Sequence, residues 1–379
     1  MKRLLRCWLL IACLGAFQTS HAGIGGKAVI AYYSGGPEGL DRYDPAEFTH
    51  IIFCFGRLKG PALHLRGMRD TLVIRRMVEM KRRNPRLKVL LSLGGWGGCA
   101  PCSEVFADAG NREAFAQSVR ALTEYFGTDG IDLDWEYPVI SGYPGHRHAP
   151  EDRESFTGLV RALRRVLGKR ATITFAAGGF TRFLEEAVDW KAVMPMVDYV
   201  NLMTYDLVGG YSKRTGHHTP LQSTSTQRES ADNCVQGLLR MGVPARQLIL
   251  GAAFYARVWK DVEEVDEGLY RPGVFKESVG FNAFADRLSE RAGYRMRWDS
   301  AAMAPFAYHP RERTFATFDD RRSVAEKARY VLRHRLGGIM FWHLGQDTPS
   351  DGLLASINAV LRARRKQGPH SNTMVPKRS

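Results

Sequence analysis

Gly127-Thr128-Asp129-Gly130-Ile131-Asp132-Leu133-Asp134-Trp135-Glu136-Tyr137-Pro138 is the stretch from which the rest of the chain can be read. Apolar and acidic residues alternate strictly from Ile131 to Glu136. Side chains alternate across a β-strand. Asp132, Asp134 and Glu136 therefore share one face, and Ile131, Leu133 and Trp135 share the other. Such a strand suits a barrel, with the apolar face against helices and the acids in the lumen. Stacking three acids in a low-dielectric interior is expensive. They cannot all ionise at that spacing, so at least one pKa must rise. That is how a carboxyl stays protonated at neutral pH for use as an acid. Glu136 is outermost, at the C-terminal end of the strand, where barrel active sites lie. The competing readings are an exposed acidic strand or a calcium site. Calcium loops carry their acids on a flexible Gly-bearing loop, whereas here apolar residues interleave and Pro138 stops the strand.

Working outward, short apolar runs recur on both sides. Strands are expected at Val29–Tyr33, His50–Phe55, Val89–Leu93, Gly130–Asp134, Thr172–Ala177, Tyr199–Met203, Leu248–Ala253 and Gly338–Trp342. Thr71–Arg82, Arg112–Tyr125, Arg153–Leu167 and Ser323–Arg335 carry the apolar spacing of amphipathic helices. Strands alternating with helices imply parallel pairing, and eight such units imply a closed (β/α)8 TIM barrel of the α/β class. One gap, of 84 residues between Ala253 and Gly338, is too long for a single helix. Residues 258–318 are expected to form a small α+β insertion between strands 7 and 8. The catalytic domain would span 23–365. Residues 366–379 form a basic tail without apolar period, expected to be disordered.

The 379 residues are 44% hydrophobic and 25% charged, which excludes a fibrous or disordered chain. The net charge is +15, yet no nucleic-acid motif accompanies it, so no nucleic-acid partner is expected. No apolar run reaches 18 residues, so no membrane span is expected. Met1–Arg6 is short and basic, Cys7–Phe17 is apolar, and Ser20-His21-Ala22 offers a small-residue exit. This reads as a signal peptide over 1–22, and hence a secreted or periplasmic protein. Lipid attachment at Cys13 is the rival reading. In an exported chain Cys99 and Cys102 are expected to pair locally, and Cys54 and Cys234 to be buried free thiols. No Cys or His cluster supports a metal.

The Asp129 to Glu136 stretch matches the Asp-Gly-x-Asp-x-Asp-x-Glu signature of the family-18 glycoside hydrolases, the chitinases, at every fixed position. Ser92-Leu93-Gly94-Gly95-Trp96 resembles that family's third strand, and Met203-Thr204-Tyr205-Asp206 its sixth. Phe254-Tyr255-Ala256-Arg257 resembles a Phe-Tyr-Gly-Arg segment, with Ala256 in place of Gly. Gly338 to Trp342 resembles the eighth strand. Strand parity agrees, since Tyr205 shares a face with Met203 and Asn201, Arg257 with Tyr255, and Trp342 with Met340.

The resemblance implies cleavage of chitin or chito-oligosaccharides with retention, assisted by the substrate's own acetamido group. It assigns Glu136 as acid and base. Asp134 would bond the acetamido N–H, and Tyr205 would hold the group from its oxygen side. Asp132 would share a proton or hydrogen bond with Asp134, with Ser92 supporting that pair. Trp342 would floor the sugar. Asp206 and Arg257 would contact hydroxyls, and Tyr32 and Phe53 would wall the site. Met203, Tyr255, Gly95, Trp96 and Tyr137 complete the expected substrate-binding set. Neither cofactor nor metal is expected, and the protein is expected to be a monomer. An endo-β-N-acetylglucosaminidase acting on glycoproteins and a non-catalytic chitin-binding lectin remain as alternatives. The lectin would typically lack the acid at position 136. A cell-wall hydrolase is a further alternative, without a wall-binding repeat to support it.

Overall fold

The computed structural model describes residues 24–366. The expected signal peptide and most of the basic tail lie outside them. Strand β1 is Ala28–Tyr33 and β2 is His50–Phe53, followed by a short hairpin, β3 (Arg57–Lys59) and β4 (Ala62–His64). Next come β5 (Lys88–Gly94), β6 (Gly130–Asp134), β7 (Thr172–Gly178), β8 (Tyr199–Met203) and β9 (Leu248–Ala253). Then follow β10 (Tyr255–Lys260), β11 (Val274–Gly280), β12 (Arg295–Asp299), β13 (Ala304–His309), β14 (Thr314–Thr317) and β15 (Gly338–Trp342).

Eight parallel strands close a barrel in the order β1-β15-β9-β8-β7-β6-β5-β2. The expected α/β barrel is therefore the fold. Its first strand pairs with its last, Ala28 opposite Gly338 and Ala31 opposite Phe341. The apolar half of the acid strand faces outward. Trp135 packs against Phe106 and Phe156, at ring-centroid separations of 5.8 and 6.3 Å. Burying each such ring contributes roughly 2–3 kcal/mol. Inside, Ile30, Ile52, Leu90, Ile249 and Met340 fill the lumen below the acids.

The helices follow their sequence signals with small shifts at the ends. The second expected helix runs Ala109–Phe126. Asp108 caps it by accepting from the Asn111 N–H, and Gly127 ends it at φ 73°, a left-handed position that favours glycine. The last of the four runs Arg321–Arg333 behind a reciprocal Asp320–Ser323 capping box. Strand β2 stops at Phe53, two residues short of the expected end.

Between β9 and β15, a five-stranded antiparallel sheet is ordered β11-β10-β14-β13-β12. Its first strand begins at Tyr255, so the boundary expected near 258 falls within a strand. Trp259, Val262, Phe306, Tyr308 and Phe315 form the sheet's own small core.

Candidate active site

The β6 register places Asp132 opposite Ser92 on β5 and Thr174 on β7, and Asp134 opposite Gly94. Asp132 is fully buried. It accepts hydrogen bonds from Tyr32 Oη at 2.9 Å, from Asn201 Nδ2 at 3.1 Å and from Thr174 Oγ1. Asn201 also donates to Tyr32 Oη at 2.9 Å. Burial pushes the Asp132 carboxyl up to about 6, with Thr174, Tyr32 and Asn201 opposing. Asp134 is 4% exposed, and its Oδ1 has no hydrogen-bond partner among the described residues. Burial, then Glu136, then Asp132 hold its carboxyl well above the usual range, with Arg57 opposing. Glu136 follows at the rim, partly open to the cleft. Burial raises its carboxyl to about 8, against the Tyr137 hydroxyl and with help from the Asp206 charge. The three acids are thus held toward their protonated forms, and the outermost is poised to give a proton near neutrality.

Two expected partnerships take a different form. Ser92 does not support the acid pair, because its hydroxyl donates to the Phe53 carbonyl at 2.6 Å. Asp132 is held by Tyr32, Thr174 and Asn201, with no hydrogen bond to Asp134 among the described residues. Phe53 does not wall the lumen. It points outward into the core beneath the helices, whereas Phe55 enters the lumen cluster. Phe55 stacks on Trp342 at 5.4 Å and 13°. Gly95 permits this, since a Cβ there would meet the Phe55 ring at 2.4 Å.

Trp342 lies across the mouth beside Tyr32, at 5.9 Å. Met203 and Tyr205 flank it in the lumen cluster, with Tyr205 Oη 3.8 Å from Met340 Sδ. Asp206 and Arg257 meet each other. Arg257 donates from Nε to Oδ1 and from Nη2 to Oδ2, both at 2.6 Å. Tyr255 Oη adds a bond to Oδ2 at 2.9 Å. Burial alone would raise Asp206, but His218 and Arg257 together pull it well below the usual carboxylate range. Tyr137 is wedged between Phe180 and Phe183, at 5.6 and 5.4 Å. Outside it, Trp96 gathers Tyr143 at 5.7 Å and Tyr211 at 6.0 Å. These three rings are 44%, 38% and 70% exposed, and they are tilted to one another by 68° and 50°, an exposed aromatic cluster whose individual faces suit sugar stacking. Cys99 and Cys102 are disulfide-bonded in the loop behind Trp96, and Cys54 and Cys234 are buried free thiols.

Sequence reasoning missed Phe55, Thr174, Tyr143, Tyr211 and His218. Asn201 had the correct parity but no assigned partner. The described residues hold no His/Cys/Asp/Glu group able to bind a metal. They include no helix long and apolar enough to cross a membrane.

Residues 28–347 match the model of the glycosyl hydrolases family 18. The chain belongs to that family. It is 33% identical to chitinase A1 of Niallia circulans over 300 residues, which are 72% of this chain and 42% of that protein. It therefore spans less than half the length of that relative. Chitotriosidase-1 of Mus musculus is 31% identical over 325 residues, 80% of this chain and 68% of that one. Among solved structures, a family 18 N-acetylglucosaminidase from Paenibacillus barengoltzii superposes with a TM-score of 0.80 at 34% identity. That match covers 88% of this chain and 99% of the other.

Proposed function

We propose that this protein hydrolyses β-1,4 linkages between N-acetylglucosamine units of chitin or chito-oligosaccharides, with retention of configuration. The observation that carries the proposal is the open, buried Asp134 Oδ1 beside a Glu136 held protonated. Asp134 stands two residues along the same strand, about 7 Å away at ~3.3 Å per residue. It is beside the acid, not across the scissile bond where an enzyme nucleophile stands. The substrate's acetamido oxygen fills that role. Asp134 accepts the acetamido N–H, and Tyr205 holds the group from the other side. Glu136 donates its proton to the leaving oxygen as the acetamido oxygen bonds to the anomeric carbon. The resulting oxazolinium ion carries the positive charge. Glu136, now a carboxylate, takes a proton from water as that water attacks and reopens the ring. Holding the internal nucleophile in reach gives the rate advantage of an intramolecular attack. The reaction as written uses the substrate's own acetamido group, protein side chains and water.

Trp342 floors the distorted sugar, and Trp96, Tyr143 and Tyr211 extend the platform outward. The sheet β10–β14 contributes Tyr255 and Arg257 to one side of the cleft, and we treat it as an insertion into the catalytic domain. The protein acts as a monomer on this reading. Secretion follows from the character of residues 1–22 and is supported by the Cys99–Cys102 disulfide, which suits an oxidising compartment.

The testing experiment compares matched oligomers with and without acetyl groups. N-acetylated oligomers are expected to be cut and fully deacetylated ones to resist. Comparable cleavage of both would overturn substrate assistance. The N-acetylglucosaminidase activity of the Paenibacillus relative favours a second reading, release of N-acetylglucosamine units from other conjugates. Product analysis on chito-oligosaccharides of increasing length, alongside a glycoprotein, separates the two.

A further inference from the structure

We propose that His218 is a positioning residue of this site, an imidazole held in reserve for Asp206, which it grips when substrate draws Arg257 away. The inference rests on the glycosidase reading above. Asp206 Oδ1 has one close donor, Arg257 Nε at 2.6 Å, while Oδ2 has two, Arg257 Nη2 and Tyr255 Oη. His218 Nδ1 waits 3.6 Å from Oδ1, just beyond bonding distance. The imidazole is fully buried, and neither ring nitrogen has a hydrogen-bond partner among the described residues. Buried polar groups are ordinarily paired, so an unpaired one beside a carboxylate calls for a reason.

Position and protonation both suit the role. The His218 N–H donates to Thr317 Oγ1 at 3.1 Å. Its carbonyl accepts from the N–H of Leu207, the residue directly after Asp206, at 3.0 Å. The ring and the carboxylate are therefore tethered to each other. Burial, with Arg257 adding and Asp206 and Asp319 opposing, pushes the imidazole below its ordinary value. It is neutral at pH 7 and has one N–H to give. The groups around it are Asp206, Arg257, the Tyr255 ring at 5.2 Å, and Asp319, which Lys327 neutralises at 2.6 Å. The neighbouring His217 is turned to Asp299, at 3.0 Å.

Arg257 is the partner that substrate can remove. Its side chain is 23% exposed, and Nη1 rests on Ser278 Oγ at 2.6 Å. A sugar hydroxyl that engages the guanidinium takes the sole close donor from Oδ1. A movement of less than about 1 Å then brings His218 to an ordinary N–H···O distance. Asp206 stays ionised and in place, and its charge goes on holding Glu136 protonated amid Asp134, Tyr137 and Tyr205. Arg257 thus bonds Asp206 directly in the free protein, where His218 favours its charge from 3.6 Å, and His218 takes over the bond in the complex.

That division has a kinetic signature, because kcat/KM reports groups of the free enzyme and kcat those of the complex. His218→Leu is expected to lower kcat about tenfold on chito-oligosaccharides. The basic limb of its kcat profile should move to lower pH while that of kcat/KM stays in place. His218→Asn keeps a donor and should recover most of the loss. A wild-type kcat limb in His218→Leu, both limbs moving together, or equal damage in the two variants overturns the proposal. If His218→Leu does not fold, ¹⁵N-histidine spectra of Glu136→Gln, recorded free and saturated with a chito-oligosaccharide, decide instead. The His218 N–H resonance is expected to shift downfield on loading, and an unmoved resonance overturns the proposal. Wild-type protein that cuts no N-acetylated oligomer sinks the glycosidase reading and this one together. Wild-type cleavage with an indifferent His218→Leu sinks this one alone.

Discussion

Asp134 and Asp319 are both cut off from water, but their surroundings treat them in opposite ways. Asp319 is fully buried and completely provided for. Lys327 Nζ reaches Oδ2 at 2.6 Å, the Ala253 N–H at 2.9 Å and Thr219 Oγ1 at 3.2 Å, while Ser323 Oγ bonds Oδ1 at 2.6 Å. The one Thr219 hydroxyl proton is shared between Asp319 and the Thr204 carbonyl at 3.1 Å, one residue before Tyr205. Asp319 is a brace joining the ends of β8 and β9 to the helix Arg321–Arg333. Asp134 has an open oxygen, and the groups that shift it most after burial are two other acids. A buried acid with both oxygens bonded and a cation beside it fixes the backbone. One left short of partners is fitted to something that arrives. The difference separates architecture from chemistry without reference to position in the fold.

The sharpest way to break that contrast is at Glu136. Glu136→Gln keeps the shape and loses the proton, so turnover should fall about 10³- to 10⁴-fold while the fold persists. Near-native turnover in a folded variant would end the assignment. Lys327→Met tests the other side. It strands the Asp319 charge and should cost roughly 3–5 kcal/mol in denaturant unfolding. Adding Asp319→Asn should return much of that, and a single variant of native stability would show that the pair is no brace. The Cys99–Cys102 bridge closes a very short loop, so replacing both residues by Ser should cost about 2 kcal/mol or less. A larger loss by thermal unfolding would mean that the loop carries more of the fold than its span suggests.

The smallest expected effect is also the most specific. Glu136 has a folded-state pKa near 8, above its ordinary 4.5. The stability tied to its proton is therefore complete below about pH 4.5 and is lost as pH rises through about 8. Glu136→Gln escapes that loss. It should melt a few degrees above wild type near pH 9 and level with it near pH 4. Wild-type turnover should decline over the same alkaline range. A constant melting difference across pH would detach Glu136 from the burial argument.

Most of the barrel was legible because its strands are short, fully buried and rich in apolar residues. Gly130–Asp134, Tyr199–Met203, Leu248–Ala253 and Gly338–Trp342 begin and end where their sequence patterns do. The acid ladder was legible because alternation needs only one strand. Reading failed where a partner lies on another strand or where a strand ends. Asn201 and Thr174 reach Asp132 through the closure and register of the barrel, which no single segment encodes. Phe53 was misplaced although alternation reaches it, since it is the last paired residue of β2 and shares the outward face with Ile51 while Ile52 faces the lumen. Phe55, in the loop, took the place expected for it. The Trp96 platform was half seen, since Tyr143 and Tyr211 come from loops whose course depends on the whole rim.

The pairing of β1 with β15 has a consequence for how the molecule comes into being. Trp342 lies on β15, more than two hundred residues after Glu136. On the proposed mechanism, a chain emerging from the ribosome holds its proton donor early, but it has neither a closed wall nor a floor for a sugar until its last barrel strand is made. Every shorter intermediate has two unpaired strand edges, which favour association with other chains over catalysis. Activity should therefore switch on in one step with ring closure, and a nascent chain halted before Gly338 should be inert however well its first seven strands have formed.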